Sequence, residues 1–146
     1  MMRTTGDILR TIQGGYIEPV YFLLGEEYYL QHLIIEHIGK AIFGKSKKNK
    51  TLLLPDELSN KEIIDQLTQA DLFSSKKLFI LRNPAALRNK YREELLDYCR
   101  NPLQNHNLII IEDDYGDRKA MTKDLKKNID TVSVQIPFTN EMKKWT

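Results

Sequence analysis

Five short apolar runs recur along the chain: Val20 to Leu24 (VYFLL), Thr51 to Leu54 (TLLL), Lys77 to Leu81 (KLFIL), Leu108 to Ile111 (LIII) and Thr131 to Ile136 (TVSVQI). Most are apolar at every position instead of alternating, the pattern of strands covered on both faces. Segments with helical spacing separate them. Leu30, Leu33, Ile34, Ile38, Ala41 and Ile42 form one stripe, Leu87, Tyr91, Leu95, Tyr98 and Cys99 a second, and Ile63, Leu67 and Ala70 a third. Met121 with Leu125 marks a short helix before the last run, and Ile8, Leu9 and Ile12 one before the first. Ser59 followed three residues later by Glu62 reads as a capping box at the start of the Ile63 helix. Strands alternating with helices imply a parallel sheet, because parallel neighbours need crossover connections. The expected fold is α/β, three layers, with a parallel five-stranded sheet between helices.

A chain of 146 residues, 41% hydrophobic, is long enough for one domain with a real core and too short for two large ones. Lys and Arg exceed Asp and Glu by only 22 to 20, so the net charge of +2 gives no general reason to expect nucleic-acid binding. The basic run Lys45-Ser46-Lys47-Lys48-Asn49-Lys50 reads most simply as an exposed loop, with phosphate contact as its alternative. The lone Cys99 forms no internal disulfide and sits on an apolar helical stripe, as a buried structural thiol does. There is no 18-residue apolar run and no signal-peptide segment, so the expectation is a soluble cytoplasmic protein with no membrane partner. The domain is expected to span residues 1–139. Residues 140–146, ending in Trp145 and Thr146, read as the start of a linker or next domain in a truncated chain.

In open α/β sheets ligands sit beyond the carboxyl ends of the strands. The loop after the first run is Gly25-Glu26-Glu27-Tyr28-Tyr29-Leu30, and Glu112-Asp113-Asp114 follows the fourth. LIIIEDD looks like a Walker B strand, apolar residues ending in acids suited to magnesium. A phosphate-binding loop would need G-x-x-x-x-G-K-[ST], yet the first loop has one Gly and neither Lys, Ser nor Thr. Glu26 and Glu27 stand where the next helix starts, and a carboxylate there satisfies the positive helix end that would otherwise attract phosphate. The reading is a P-loop-type sheet whose nucleotide site, Gly25, Glu26, Glu27, Glu112 and Asp113, is degenerate, with Glu26 in a structural role at the helix start. The alternative is an enzyme in which these carboxylates bind Mg²⁺ for phosphoryl transfer or nuclease chemistry. The histidines make no metal pattern: His32 and His37 lie on different helix faces, and His106 is expected in a loop. No other catalytic grouping or cofactor is implied.

Gln69-Ala70-Asp71-Leu72-Phe73 ends a helix-like segment on two adjacent large apolar residues. Neighbours on a helix point about 100° apart, so one core stripe serves at most one of Leu72 and Phe73. The bland account has both capping the core. The pattern VYFLLGEEYYL, LTQADLFSSKKLFILRNP and LLDYCRNPLQNHNLIIIEDD resembles the N-terminal domain of the delta subunit of bacterial DNA polymerase III, over nearly all of the chain. The resemblance implies an AAA+-like domain without a working ATP site and strand order 5-1-4-3-2. It implies a clamp-loader subunit, not an enzyme by itself, that binds and opens the sliding clamp (the polymerase's beta subunit) during DNA replication. It joins other loader subunits through a third domain, and meets primed DNA only within the full complex. QADLF looks like the clamp-binding pentapeptide Q-L-[SD]-L-F, matched at Gln69, Asp71, Leu72 and Phe73, with Ala70 replacing the usual second Leu. By that resemblance Leu72 and Phe73 enter an apolar pocket of the clamp and Gln69 bonds at its rim. Ser74, Ser75, Lys76 and Lys77 are candidates for supporting contacts, or equally for the turn into the next strand.

Overall fold

A computed structural model describes residues 2–44, 50–69, 76–103, 106–116 and 119–134. Six strands and five helices follow in the order β1 (Met2–Thr4), α1 (Thr5–Gln13), β2 (Val20–Leu24), α2 (Tyr28–Phe43), β3 (Lys50–Leu53), α3 (Asn60–Thr68), β4 (Lys77–Arg82), α4 (Lys90–Arg100), β5 (His106–Glu112), α5 (Ala120–Asn128) and β6 (Thr131–Ser133). A 3-10 turn, Pro84–Ala86, precedes α4. All strand pairs are parallel, in the order β1-β6-β2-β5-β4-β3.

The continuous apolar runs divide by parity, since successive side chains of a strand point to opposite faces. Phe22, Leu24, Phe79, Leu81, Leu108 and Ile110 join one core with side chains of α3, α4 and α5. Tyr21, Leu23, Leu78, Ile80, Ile109 and Ile111 join the other, with Ile8 and Ile12 of α1 and Ile34, Ile35, Ile38 and Ile42 of α2. In the inner strands β2, β4 and β5 the two covered faces leave almost no position for water, which is why alternation is missing from their sequence, whereas the edge strand β3 exposes Lys50 and Leu52. Side chains such as Phe22, Leu23 and Ile110 are fully buried, each contributing roughly 1.5–3 kcal/mol of transfer free energy.

Five strands of the sheet have the expected 5-1-4-3-2 order, and β1 adds a sixth at the edge. That strand was missed because MRT carries no apolar pattern. It exists through register with β6, Met2 to Thr131 and Thr4 to Ser133, and through Arg3, which ion-pairs with Glu18. Other boundaries differ for local reasons. Leu87 belongs to the same core but precedes α4, after the Pro84 turn. Ala41 is exposed, and the buried stripe of α2 includes Gln31 instead. His106 is not in a loop: it opens β5, is 5% exposed and packs edge-on against Phe79 at 5.7 Å between ring centres. The capping box at α3 is present. Ser59 Oγ accepts the Glu62 N–H at 3.1 Å, and Glu62 accepts the Ser59 N–H at 3.2 Å. Cys99 is largely enclosed, and burial pushes its thiol pKa up to about 12, so it is held as an inert neutral thiol. Lys50 opens β3 and pairs with Glu36 at 3.3 Å; residues 45–49, 135–136 and 140–146, with the expectations placed on them, lie outside the described residues. No described helix is long and apolar enough to cross a membrane.

Candidate functional site

Parallel topology gives the domain two unlike ends. The carboxyl ends of the strands and the helix N-termini share one; the strand starts and the helix C-termini share the other. The sequence placed a candidate site at each.

At the carboxyl end, a crevice of about 530 Å³ is lined by Glu26, Arg82, Asn83, Glu112, Asp113, Asp114 and Lys119, among others. Gly25 turns the chain from β2 toward α2 at φ +130°, a conformation that L side chains rarely adopt, and its N–H bonds to Glu112 O at 2.9 Å. The α2 N-terminus is capped by Glu27, whose carboxylate accepts the Tyr29 N–H at 3.2 Å. Helix capping thus falls to Glu27, not to Glu26, which lines the crevice. The capping carboxylate occupies the helix end where a phosphate would sit.

The acids at the end of β5 are engaged by protein donors. Glu112, 4% exposed, accepts from Lys119 Nζ at 3.2 Å and from the Asp114 N–H at 3.1 Å. Asp113 accepts from Gln31 Nε2 at 2.9 Å and faces Arg82 at 3.8 Å. Gln31 is fully buried and central: its amide also donates to Gly25 O at 2.7 Å, while its oxygen accepts from Arg82 Nη1 at 3.2 Å. Gln31, Arg82 and Lys119 were not singled out from the sequence. Gln31 carried a readable signal, since it falls in line with Ile34, Ile35, Ile38 and Ile42 on the buried stripe. The cations did not, because β4 and α5 meet β5 only in the tertiary structure. Among the described residues, no three His, Cys, Asp or Glu side chains are grouped to hold a metal ion.

Beside this crevice lies a basic pocket of about 410 Å³ lined by Arg88, Asn89, Arg92, Lys119 and Met121, among others. The N-terminal residues of α4 and α5 border it, and neither helix has a side-chain cap. Arg92 pairs with Asp124 through its terminal nitrogen, while its buried Nε has no partner among the described residues. Two of its three cations, Arg92 and Lys119, are paired with Asp124 and Glu112, so the exposed Arg88 and the helix ends without side-chain caps are what this pocket offers an anion.

At the opposite end, α3 stops at Thr68, and Gln69 is its exposed C-cap, with its N–H on Asp65 O at 3.0 Å. The chain re-enters description at Lys76, whose ammonium reaches Ile42 O at 3.5 Å, and Lys77 begins β4. Ala70, Asp71, Leu72, Phe73, Ser74 and Ser75 lie outside the described residues. Of the expected clamp-binding set, the structure describes only Gln69, with Lys76 and Lys77 from its flank.

A family model for the delta subunit of DNA polymerase III matches residues 21–135. The chain belongs to that family. Within it, the DNA polymerase III subunit delta of Bacillus subtilis (strain 168) is 24% identical over 135 residues, covering 84% of this chain and 39% of its own length. The Bacillus subtilis DNA clamp loader delta protein has a similar fold, with TM-score 0.77 and 21% identity over 97% of this chain and 45% of its own. A DNA polymerase III gamma subunit-related protein of Thermotoga maritima follows at TM-score 0.57 and 14% identity, over 96% of this chain and 48% of its own. This delta-family chain therefore spans less than half the length of these relatives, and its parallel sheet has a fold similar to theirs.

Proposed function

We propose that this chain is the clamp-binding domain of a DNA polymerase III delta subunit, which docks on the sliding clamp through Gln69, Asp71, Leu72 and Phe73 and opens it without hydrolysing ATP itself. The observation that carries the reading is the end of α3. The helix stops one residue before the pentapeptide, and Gln69, its first residue, is exposed at the surface. Burying Leu72 and Phe73 in a pocket of the clamp contributes about 3–6 kcal/mol, whereas a micromolar complex needs roughly 8 kcal/mol. Docking thus requires further surface around the plug, for which Ser74, Ser75, Lys76 and Lys77 are candidates. The deciding experiment is calorimetric titration of the purified chain with the clamp, compared with the Leu72→Ala/Phe73→Ala variant.

The absence of ATP chemistry is supported by the crevice. Glu27 caps the helix end that would hold phosphate, Lys119 and Gln31 donate hydrogen bonds to Glu112 and Asp113, and the Arg82 guanidinium lies 3.8 Å from Asp113. A ligand that binds only the folded state raises its melting temperature, so millimolar Mg²⁺ and ATP should leave that temperature unchanged. A rise that Asp113→Ala removes would instead support the Mg²⁺-dependent phosphoryl-transfer or nuclease reading.

Within the assembled loader, the basic pocket offers a DNA phosphate the exposed Arg88 beside the N-termini of α4 and α5. Arg88 is exposed and its side chain has no partner among the described residues. Arg88→Ala should weaken DNA binding by the complete loader and reduce the slope of log affinity against log salt by about 1. An unchanged slope would remove the pocket from the DNA path.

A further inference from the structure

The α3 C-terminus borders a second surface, a groove of about 520 Å³ between α3 and α4. Ile64, Tyr98 and Leu103 contribute its apolar lining, and Asp65, Glu94 and Asp97 give it three carboxylates. Two of these are neutralised locally. Asp65 pairs with Lys61 at 2.8 Å and Asp97 with Arg100 at 2.7 Å. Half-buried Glu94 has no cationic partner among the described residues, so the groove keeps an uncompensated negative charge.

A second, independent feature points the same way. Tyr98 is 5% exposed, and its hydroxyl has no side-chain partner among the described residues; the backbone of Leu103 is the one group beside it, and it offsets part of the effect of burial. Burial raises its pKa, which keeps the phenol neutral and able both to accept and to donate a hydrogen bond. One backbone neighbour leaves part of the phenol's capacity to accept and donate unused, and a buried polar group gains from a further partner.

Position names the occupant. Thr68 lines the groove, and Gln69, the first residue of the pentapeptide, is the next along the chain. Any protein that holds the pentapeptide therefore comes within a few ångströms of the groove mouth. We propose that the α3/α4 groove is a second contact for the clamp and receives a lysine or arginine side chain from it, the cation meeting Glu94 and the Tyr98 hydroxyl. This inference rests on the clamp-docking reading and identifies part of the additional surface that reading requires. A charge pair at such a rim contributes modestly to affinity and more to encounter rate and register.

The test is titration of the full chain with the purified clamp at low and moderate salt, for wild type, Leu72→Ala/Phe73→Ala and Glu94→Lys. Glu94→Lys should weaken binding about tenfold, with a flatter salt dependence and an unchanged melting temperature. If Glu94→Lys binds like wild type while the double variant has lost binding, the groove contact is overturned and the docking reading stands. If wild type does not bind the clamp at all, both fall together. Should Glu94→Lys fail to fold, Glu94→Gln takes its place, with about threefold weaker binding expected and wild-type affinity overturning the proposal.

Discussion

Replacing Leu72 and Phe73 together by alanine is expected to weaken clamp binding at least a hundredfold and to leave the melting temperature unchanged. The size follows from the chemistry. Two large apolar side chains that leave water on docking supply about 3–6 kcal/mol, and each 1.4 kcal/mol is a decade in the dissociation constant. Titration with the clamp reads the first effect and thermal unfolding followed by circular dichroism reads the second. The two readouts separate the plug from its main competitor. Were both residues core, Leu→Ala and Phe→Ala would each cost about 2–5 kcal/mol of stability, and the variant would melt more than about 15 °C lower. Ala70→Leu provides a gain-of-function control. It restores the apolar residue that the pentapeptide otherwise carries and should tighten binding by up to roughly tenfold, as expected for one further buried side chain that is only partly enclosed.

Gln31→Leu is expected to be the most damaging single change at the carboxyl end of the sheet, costing about 3 kcal/mol of stability. The side chain is fully buried and ties three elements together: Gly25 O after β2, Asp113 after β5 and Arg82 at the end of β4. Leucine fits the volume and removes every bond, leaving the Gly25 carbonyl and both charged groups with lost partners. For a domain of this size, 3 kcal/mol corresponds to about 10 °C in melting temperature. Chemical denaturation should show a lower midpoint with an unchanged slope, because the surface exposed on unfolding stays the same. A variant as stable as wild type would mean that Gln31 is held by the helix and not holding the loop. Clamp binding should survive in the folded fraction, since Gln31 lies at the opposite end of the sheet from Gln69.

The sheet was legible because its strands are covered on both faces. Phe22 and Leu23, one residue apart, enter different cores, and the chain has to spend an apolar residue at nearly every strand position. Strand β1 was not legible. Its three residues include Arg3, and it is a strand because β6 lies beside it and Glu18 neutralises the charge. His106 was misread for a related reason: a polar residue beside Gln104 and Asn105 looks like a loop until Phe79 on the neighbouring strand covers it.

The carboxyl-end crevice divides in the same way. That it lacks a phosphate loop was written in Gly25-Glu26-Glu27-Tyr28-Tyr29-Leu30, because the required Lys and hydroxyl are simply not there. Which glutamate caps α2 was decided by backbone geometry, since only Glu27 is placed to accept the Tyr29 N–H. That Glu112 and Asp113 meet cations was decided by how the chain folds back: Lys119 returns to Glu112 across the loop that follows β5, and Arg82 reaches Asp113 from the neighbouring strand.

The sequence by itself determined the parallel α/β class, the lack of a phosphate-loop motif after β2 and the position of QADLF. Each of these depends on residue types at fixed spacing along one segment. Only the tertiary structure decided which charges meet. The Gln31 network, the basic pocket between α4 and α5 and the groove between α3 and α4 all join residues from different elements. Electrostatic pairing falls off with distance in space, and distance along the chain does not report it.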